Sequence, residues 1–317
     1  MHRDNDLLVI GDVNADLLLL GPDPIPEFGQ VEKLMDSGVL TVGGSSGITA
    51  CGAARLGLRT ACLGVLGDDP LASVLRSELA SRGVDASSCP VDPTRATGIT
   101  VILTVAGSGD RAILTATGTL DSLTTEQVDR DLLRRSRHLH CGAYFLQPAL
   151  QDGLAALFDE AHAAGVTCSL DTNWDPTGKW DGGLAACLKR CDLFFPNEAE
   201  ALHITGTSDI DAAAASLAAS VPAVAIKRGA AGAMVRSGKR TLCAVAPQVE
   251  IVDTTGAGDA FDAGYIYGFL RQWPIEKCLA LAVACGCLST RAAGGVLGQP
   301  ELAEAVALAN VVRVDER

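Results

Sequence analysis

The feature that most constrains this chain is a rhythm of short apolar runs separated by amphipathic helical patterns. "LLVIGD" (residues 7–12) has counterparts at 61–67, 138–144, 166–171, 192–197 and 223–229. Short apolar runs of this kind are expected of strands buried on both faces. Between them, Leu71, Val74, Leu75 and Leu79, and then Leu154, Leu157, Phe158 and Ala161, repeat at helical spacing. Strand and helix in alternation imply βαβ units, so the expected class is α/β: a mostly parallel central sheet with helices on both faces.

Two stretches break the rhythm. Residues 96–118 are rich in Thr, Val and Ile around a Gly-Ser-Gly-Asp turn at 107–110, the pattern of an exposed hairpin. Residues 16–40 lack a helical period and carry turn residues at 21–30. Together they read as a small β appendage, drawn from about 14–40 and 96–118, either a lid over a cleft or a plain surface hairpin. No repeat or low-complexity linker divides the 317 residues, so one domain is expected.

Charge and cysteine usage remove several function classes. The formal net charge is −13 and no basic run could track a phosphate backbone, which argues against nucleic acid and anionic membrane as partners. The apolar stretch at 278–288 falls short of the ~20 residues that span a bilayer. The first residues lack an apolar signal core with a cleavage site, so a cytoplasmic location is expected. Eleven cysteines are scattered through apolar segments with no CxxC pair, and are expected to pack as reduced thiols.

The chemistry concentrates in "IVDTTGAGDAF" (residues 251–261). Residues 249–252 have strand character, while Ala260, Phe261, Gly264, Ile266, Phe269 and Leu270 suit a helix. Gly256, Ala257 and Gly258 then stand at a strand-to-helix junction, where backbone N–H groups and the helix dipole favour an anion. Asp259, in the first helical turn, is placed to accept a proton from an attacking hydroxyl. Taken alone, the same residues also suit a Gly-rich turn with a dipole-matched Asp. No GxxxxGK[ST] motif occurs, and Phe261 stands where a dinucleotide fingerprint needs its third glycine.

"DTTGAGDAFDAGYIYGFL" (residues 253–270) closely resembles the C-terminal signature of the PfkB, or ribokinase-like, carbohydrate kinases. "GGSSGITACGAARLG" (43–57) resembles a second signature, and "GDVNAD" (11–16), "GDDP" (67–70), "DTN" (171–173), "PNEAE" (196–200) and "KRGAAG" (227–232) follow in the family's order. The resemblance implies a three-layer α/β/α fold with a β lid, and a phosphotransferase using ATP and Mg²⁺. It makes Asp259 the catalytic base, and the backbone of Gly256, Ala257 and Gly258 the hole for the transferred charge. Asn197 and Glu200 match the element that places magnesium and phosphates, although Asn followed by Glu three residues later is also a capping box. Lys227, Gly229 and Gly232 fall at the nucleotide loop, which without the resemblance reads as a hairpin turn.

By the same resemblance Asp253 and Thr255 are ligands of a monovalent cation, with K⁺ implied and carbonyl ligands from 289–295. Asn14 and Asp16 are the pair that binds sugar hydroxyls, or else an Asx-turn at a strand end. Gly43 and Gly44 bring backbone close to the sugar. Arg111 matches the lid's GER element, with a structural or a ligand-contacting role open. The chain departs from the pattern at Ile48, where Asn is common, and at Ser45, where typical ribokinases have Lys; both remove hydroxyl-binding donors and put ribose in doubt. A sugar or sugar-like acceptor is the leading expectation, with a nucleoside kinase or a silent sugar or nucleotide sensor as alternatives, and a homodimer joined through the lids.

Overall fold

The computed structural model describes residues 3–105 and 111–317, and the expected hairpin tip at 107–110 lies outside the described residues. From β1 (Asn5–Ile10) the chain enters a second, small sheet as β2 (Asn14–Gly21) and β3 (Ser37–Gly43), and α1 (Ser45–Arg55) returns it to β4 (Thr60–Leu63). Then come β5 (Leu66–Gly67), α2 (Pro70–Ser81), β6 (Val84–Asp85), β7 (Val91–Asp92), and the small-sheet strands β8 (Ile99–Val105) and β9 (Arg111–Ala116). Helix α3 (Arg130–Arg134), β10 (Ser136–Cys141), α4 (Pro148–Ala163), β11 (Thr167–Leu170), α5 (Leu184–Leu188) and β12 (Leu193–Phe194) continue the alternation. After α6 (Glu198–Thr205) and α7 (Ile210–Leu217) come β13 (Ala223–Lys227), β14 (Ala233–Ser237) and β15 (Arg240–Ala244). Helices α8 (Ala257–Leu270), α9 (Ile275–Ser289) and α10 (Leu302–Ala309) precede the last strand, β16 (Val314–Glu316).

The central sheet runs β16-β15-β14-β13-β12-β11-β10-β1-β4-β6, parallel from β13 to β6 and antiparallel from β13 to β16. Successive residues of β1 show why its run is continuously apolar. Leu7 and Val9 enter the core under α1, α8 and α9, while Leu8 and Ile10 enter the opposite core under α4. Each face is thus covered by helices, giving three layers. The small sheet, β3-β2-β8-β9, stands apart.

Local signals explain the helix starts. Asp69 caps α2 by accepting from the Ala72 N–H at 2.9 Å, with Pro70 in the first turn. Its buried stripe is Ala72, Leu75 and Leu79; Val74, counted in the expected apolar face, is exposed. Helix α4 starts at Pro148, ahead of the expected pattern, and buries Leu154, Leu157, Phe158 and Ala161 as expected. The apolar stretch around 278–288 is α9, packed on α8. A Cβ on Gly264 or Gly268 would come within 2.9 Å of Cys285 or Cys278 Sγ, so glycine on one helix and small thiols on the other set their approach. Nine of the cysteines are buried, and all eleven are free thiols.

Candidate active site

The parallel strands end where β1 and β10 part to opposite sides of the switch in strand order, the place at which open α/β sheets gather ligands. Asp12, just past β1, accepts from the N–H groups of Ser45 (2.9 Å) and Ser46 (2.8 Å) and so holds the start of α1 over this crevice. Asn14 donates to Asp16 Oδ1 (2.9 Å) and to Thr100 Oγ1 on β8 (3.0 Å), tying the expected sugar-binding pair to the small sheet. Asp16 is buried and its carboxyl is pushed up to about 7, first by desolvation, against the Asn14 bond, with Asp12 and Asp253 adding repulsion. A Cβ on Gly43 would collide with the Asp16 carboxylate, and one on Gly44 would stand 2.9 Å from Asn14 Oδ1. Glycine is needed at both places to admit Asn14 and Asp16.

The opening turn differs from expectation in one respect. Residues 249–252 form no strand; the N–H groups of Val252 (2.8 Å) and Asp253 (3.1 Å) both bond to the Thr290 carbonyl, a single acceptor after α9 and not a neighbouring strand. Ile251 and Val252 are consequently exposed. The junction is loop to helix. Gly256 caps α8 at φ +72°, and a Cβ there would reach 2.6 Å from Gly295 Cα, so glycine is required twice over. No side chain caps α8, and the Ala257 N–H makes only a 3.3 Å bond to the Thr254 carbonyl, leaving the first turn able to receive an anion.

Asp259 is 9% exposed in that first turn. The Ser45 hydroxyl favours its ionised form, and Ser45 Oγ accepts from Asn173 Nδ2 at 2.8 Å. Burial pushes the Asp259 carboxyl well above the ordinary range; Asp171 and Asp12 reinforce the push, while Lys227 and the Ser45 bond oppose it. Carboxylate oxygens of Asp171, Asp259 and Asp262 lie within 4.8 Å of one another.

Lys227 sits beneath the turn, its Nζ 3.5 Å from the place of a Gly258 Cβ. Its ammonium pairs with Asp171 and lies 3.3 Å from both oxygens of Asp262. Asp262 is buried and pushed up by desolvation, beyond what Lys227 offsets, and its proton bonds Asp171. Held this way, the Lys227 ammonium stands among the carboxylates. Gly232 is likewise structural: at φ +89° it lies against the Ala244 carbonyl, which a Cβ would strike, whereas Gly229 (φ +53°) faces open space in the β13–β14 hairpin.

Asn197 and Glu200 form the capping box of α6. Asn197 accepts from the Glu200 N–H (2.9 Å), and Glu200 Oε2 accepts from the Asn197 N–H (2.8 Å). Glu200 is buried and raised to about 7 by desolvation and by Asp171. Four carboxyl groups, Asp171, Glu200, Asp259 and Asp262, thus surround one ammonium, an oxygen donor set of the kind that fits magnesium.

Arg111, on β9, crosses from the small sheet to this turn. Its Nη1 donates to Asp253 Oδ1 and to Thr255 Oγ1, both at 2.6 Å. Ile48 is buried against Gly256 and Gly295, behind the turn. Sequence reasoning quoted Asp12 and Asp171 only within motifs and gave Ser45 only as a departure. Asp262 was missed, although its position one helical turn after Asp259 was a usable signal.

A family model described as pfkB family carbohydrate kinase matches residues 4–302. The ATP-dependent ribose-1-phosphate kinase of Halopiger xanaduensis is 31% identical over 289 residues, covering 89% of this chain and 91% of its own. An E. coli ribokinase II structure in complex with ATP and Mg²⁺ superposes with a TM-score of 0.85 at 24% identity, over 96% of this chain and 99% of that one. The Arabidopsis thaliana ribokinase complexed with ribose and ATP does so at 0.81 and 23%, over 98% and 99%. With its signature turn, its three-layer fold with a separate small sheet and a family match over nearly its whole length, this chain belongs to the pfkB family of carbohydrate kinases.

Proposed function

We propose that this chain transfers the γ-phosphoryl group of ATP to a primary hydroxyl of a sugar or sugar-like acceptor, with Asp259 as the base. The observation that carries the reading is the buried Asp259 carboxylate in the uncapped first turn of α8, oriented by Ser45 and Asn173. Asn14 and Asp16 bind the acceptor hydroxyls. Asp259 takes the proton of the hydroxyl as its oxygen attacks phosphorus, and a carboxylate raised by burial is a stronger base than a solvated one. The first-turn N–H groups at Gly256, Ala257 and Gly258, with the α8 dipole, hold the charge on the transferred group. Lys227 keeps Asp171 ionised and stabilises the negative cluster.

Magnesium bound with the nucleotide would neutralise charge on the phosphates, and Glu200 with Asn197 would hold it, through water. The nucleotide would pass over the open Gly229 hairpin. Ser45 is engaged by Asp259 and Ile48 lies behind the turn, so neither supplies a donor to the acceptor, which favours a substrate other than ribose. The small sheet would act as the lid over a single domain spanning 1–317, and lids of two copies would pair to cover Ile113 and Leu114, which are exposed on β9.

The test is turnover of Mg-ATP across pentoses, hexoses, sugar phosphates, keto-deoxy acids and nucleosides, with wild type and Asp259→Asn. Loss of roughly 10²- to 10⁴-fold in the variant with one acceptor class supports the base and names the class. Near-normal turnover removes Asp259 from the role; activity confined to nucleosides, or binding without turnover, would replace the sugar reading with one of the alternatives.

A further inference from the structure

We propose that the guanidinium of Arg111 takes the place of the monovalent cation at Asp253 and Thr255, so that the small sheet itself locks the turn and phosphoryl transfer proceeds without potassium. The inference rests on the reading of that turn as the phosphoryl site.

The side chains present do not fit an alkali cation. Asp253 Oδ1 already accepts three donors: Arg111 Nη1 (2.6 Å), the Thr255 N–H (2.9 Å) and the Thr255 hydroxyl (2.8 Å). Its Oδ2 accepts the Gly294 N–H at 2.8 Å. The Thr255 hydroxyl oxygen is also taken, since it accepts from the same Nη1. A cation on these oxygens would have to displace donors, and would stand beside a guanidinium of like charge.

The bonded groups also show what the charge accomplishes. The Asp253 side chain is 5% exposed and that of Arg111 29%, so their pairing is largely shielded from solvent. Through Oδ2, Asp253 clips residue 294 to the turn, while a Cβ on Gly294 would touch Leu18 of β2 at 3.2 Å. One carboxylate therefore joins the turn before α8, the loop after α9 and the small sheet. Such a clip needs a positive charge against a buried carboxylate. Supplied by a strand, that charge arrives only when the small sheet is seated, which couples seating to the geometry of Gly256, Ala257 and Gly258.

The experiment measures turnover in buffer with tetramethylammonium as the only monovalent cation, then with K⁺ added, for wild type, Arg111→Ala and Arg111→Gln. Thallium(I) binding, followed by ²⁰⁵Tl NMR on the same proteins, supplies a readout independent of catalysis. We expect wild type to change less than about twofold with K⁺ and to show no saturable thallium binding. Both variants should lose about tenfold or more without alkali cation, as loss of a charged donor at a phosphoryl site does, and should gain thallium binding that K⁺ competes away. Saturable, K⁺-competed thallium binding to wild type, or full turnover of both variants without alkali cation, overturns the proposal. Should no acceptor be phosphorylated, the kinase reading fails, while thallium binding still decides this one.

Discussion

The two ends of the central sheet treat buried carboxylates in opposite ways. At the start of β1, Asp6 accepts from Arg59 through its backbone N–H, Nε and Nη2, each at 3.1 Å, and from Arg137 Nη1 at 3.2 Å. Burial pushes its carboxyl up, but the Arg59 and Arg137 bonds outweigh that and hold it at about 2. At the other end, Asp171, Glu200, Asp259 and Asp262 share Lys227, with Asp12 bound to the start of α1, and all but Asp171 are pushed above the ordinary range. One end is matched for stability. The other gathers more carboxyl groups than its one ammonium can match, which costs stability and fits the function proposed for it.

Lys227→Met should break the contrast most severely. It strands Asp171 beside two other carboxyls, and we expect about 3–5 kcal/mol of destabilisation in urea titrations together with loss of turnover. Asp6→Asn should cost about 2 kcal/mol at neutral pH, the worth of charge-assisted bonds, with kcat unchanged.

Stability against pH sharpens the comparison because the signs are opposite. The folded value of Asp6, about 2, lies below the ordinary 3.8, so its contribution is present above 3.8 and fades as pH falls toward 2. The folded value of Asp16, about 7, lies above 3.8, so its contribution is present below 3.8 and is lost as pH rises through 7. Thermal melts should therefore show Asp16→Asn gaining on wild type by roughly 2 °C at pH 8 and losing that gain in acid, the reverse of Asp6→Asn. Equal pH trends in the two variants would mean that the ends do not differ as described.

The smallest effect belongs to Ser45→Ala. Loss of one hydroxyl bond to Asp259 should lower kcat about fivefold and raise the acid limb of its pH profile, since that bond favours the ionised carboxylate. A drop in kcat with an unmoved acid limb would make Ser45 a packing residue.

Much of this was readable before folding was considered. The unbroken apolar runs at 7–10 and 223–226 announced strands buried on both faces, because only such strands dispense with a polar side. Gly256, Ala257, Gly258 and Asp259 announced a helix start, and α8 begins there, because such a signal is contained within one turn of chain. The capping box of Asn197 and Glu200 was equally local, and the structure forms it.

What escaped was decided at long range. Lys227 meets Asp171 across 56 residues and Asp262 across 35, and Arg111 reaches Asp253 across 142. Such pairs leave no period or spacing in the sequence, so neither the partners of Lys227 nor the Arg111–Asp253 pair could be read from it. Residues 249–252 read as a strand from their apolar character, but the N–H groups of Val252 and Asp253 both went to the Thr290 carbonyl. By itself, then, the sequence determined the layers and the glycine-rich start of α8, since propensity and periodicity act over a few residues. Tertiary structure alone decided which charge faces which, because a carboxylate's partner and its proton affinity depend on what the fold brings within a few ångströms of it.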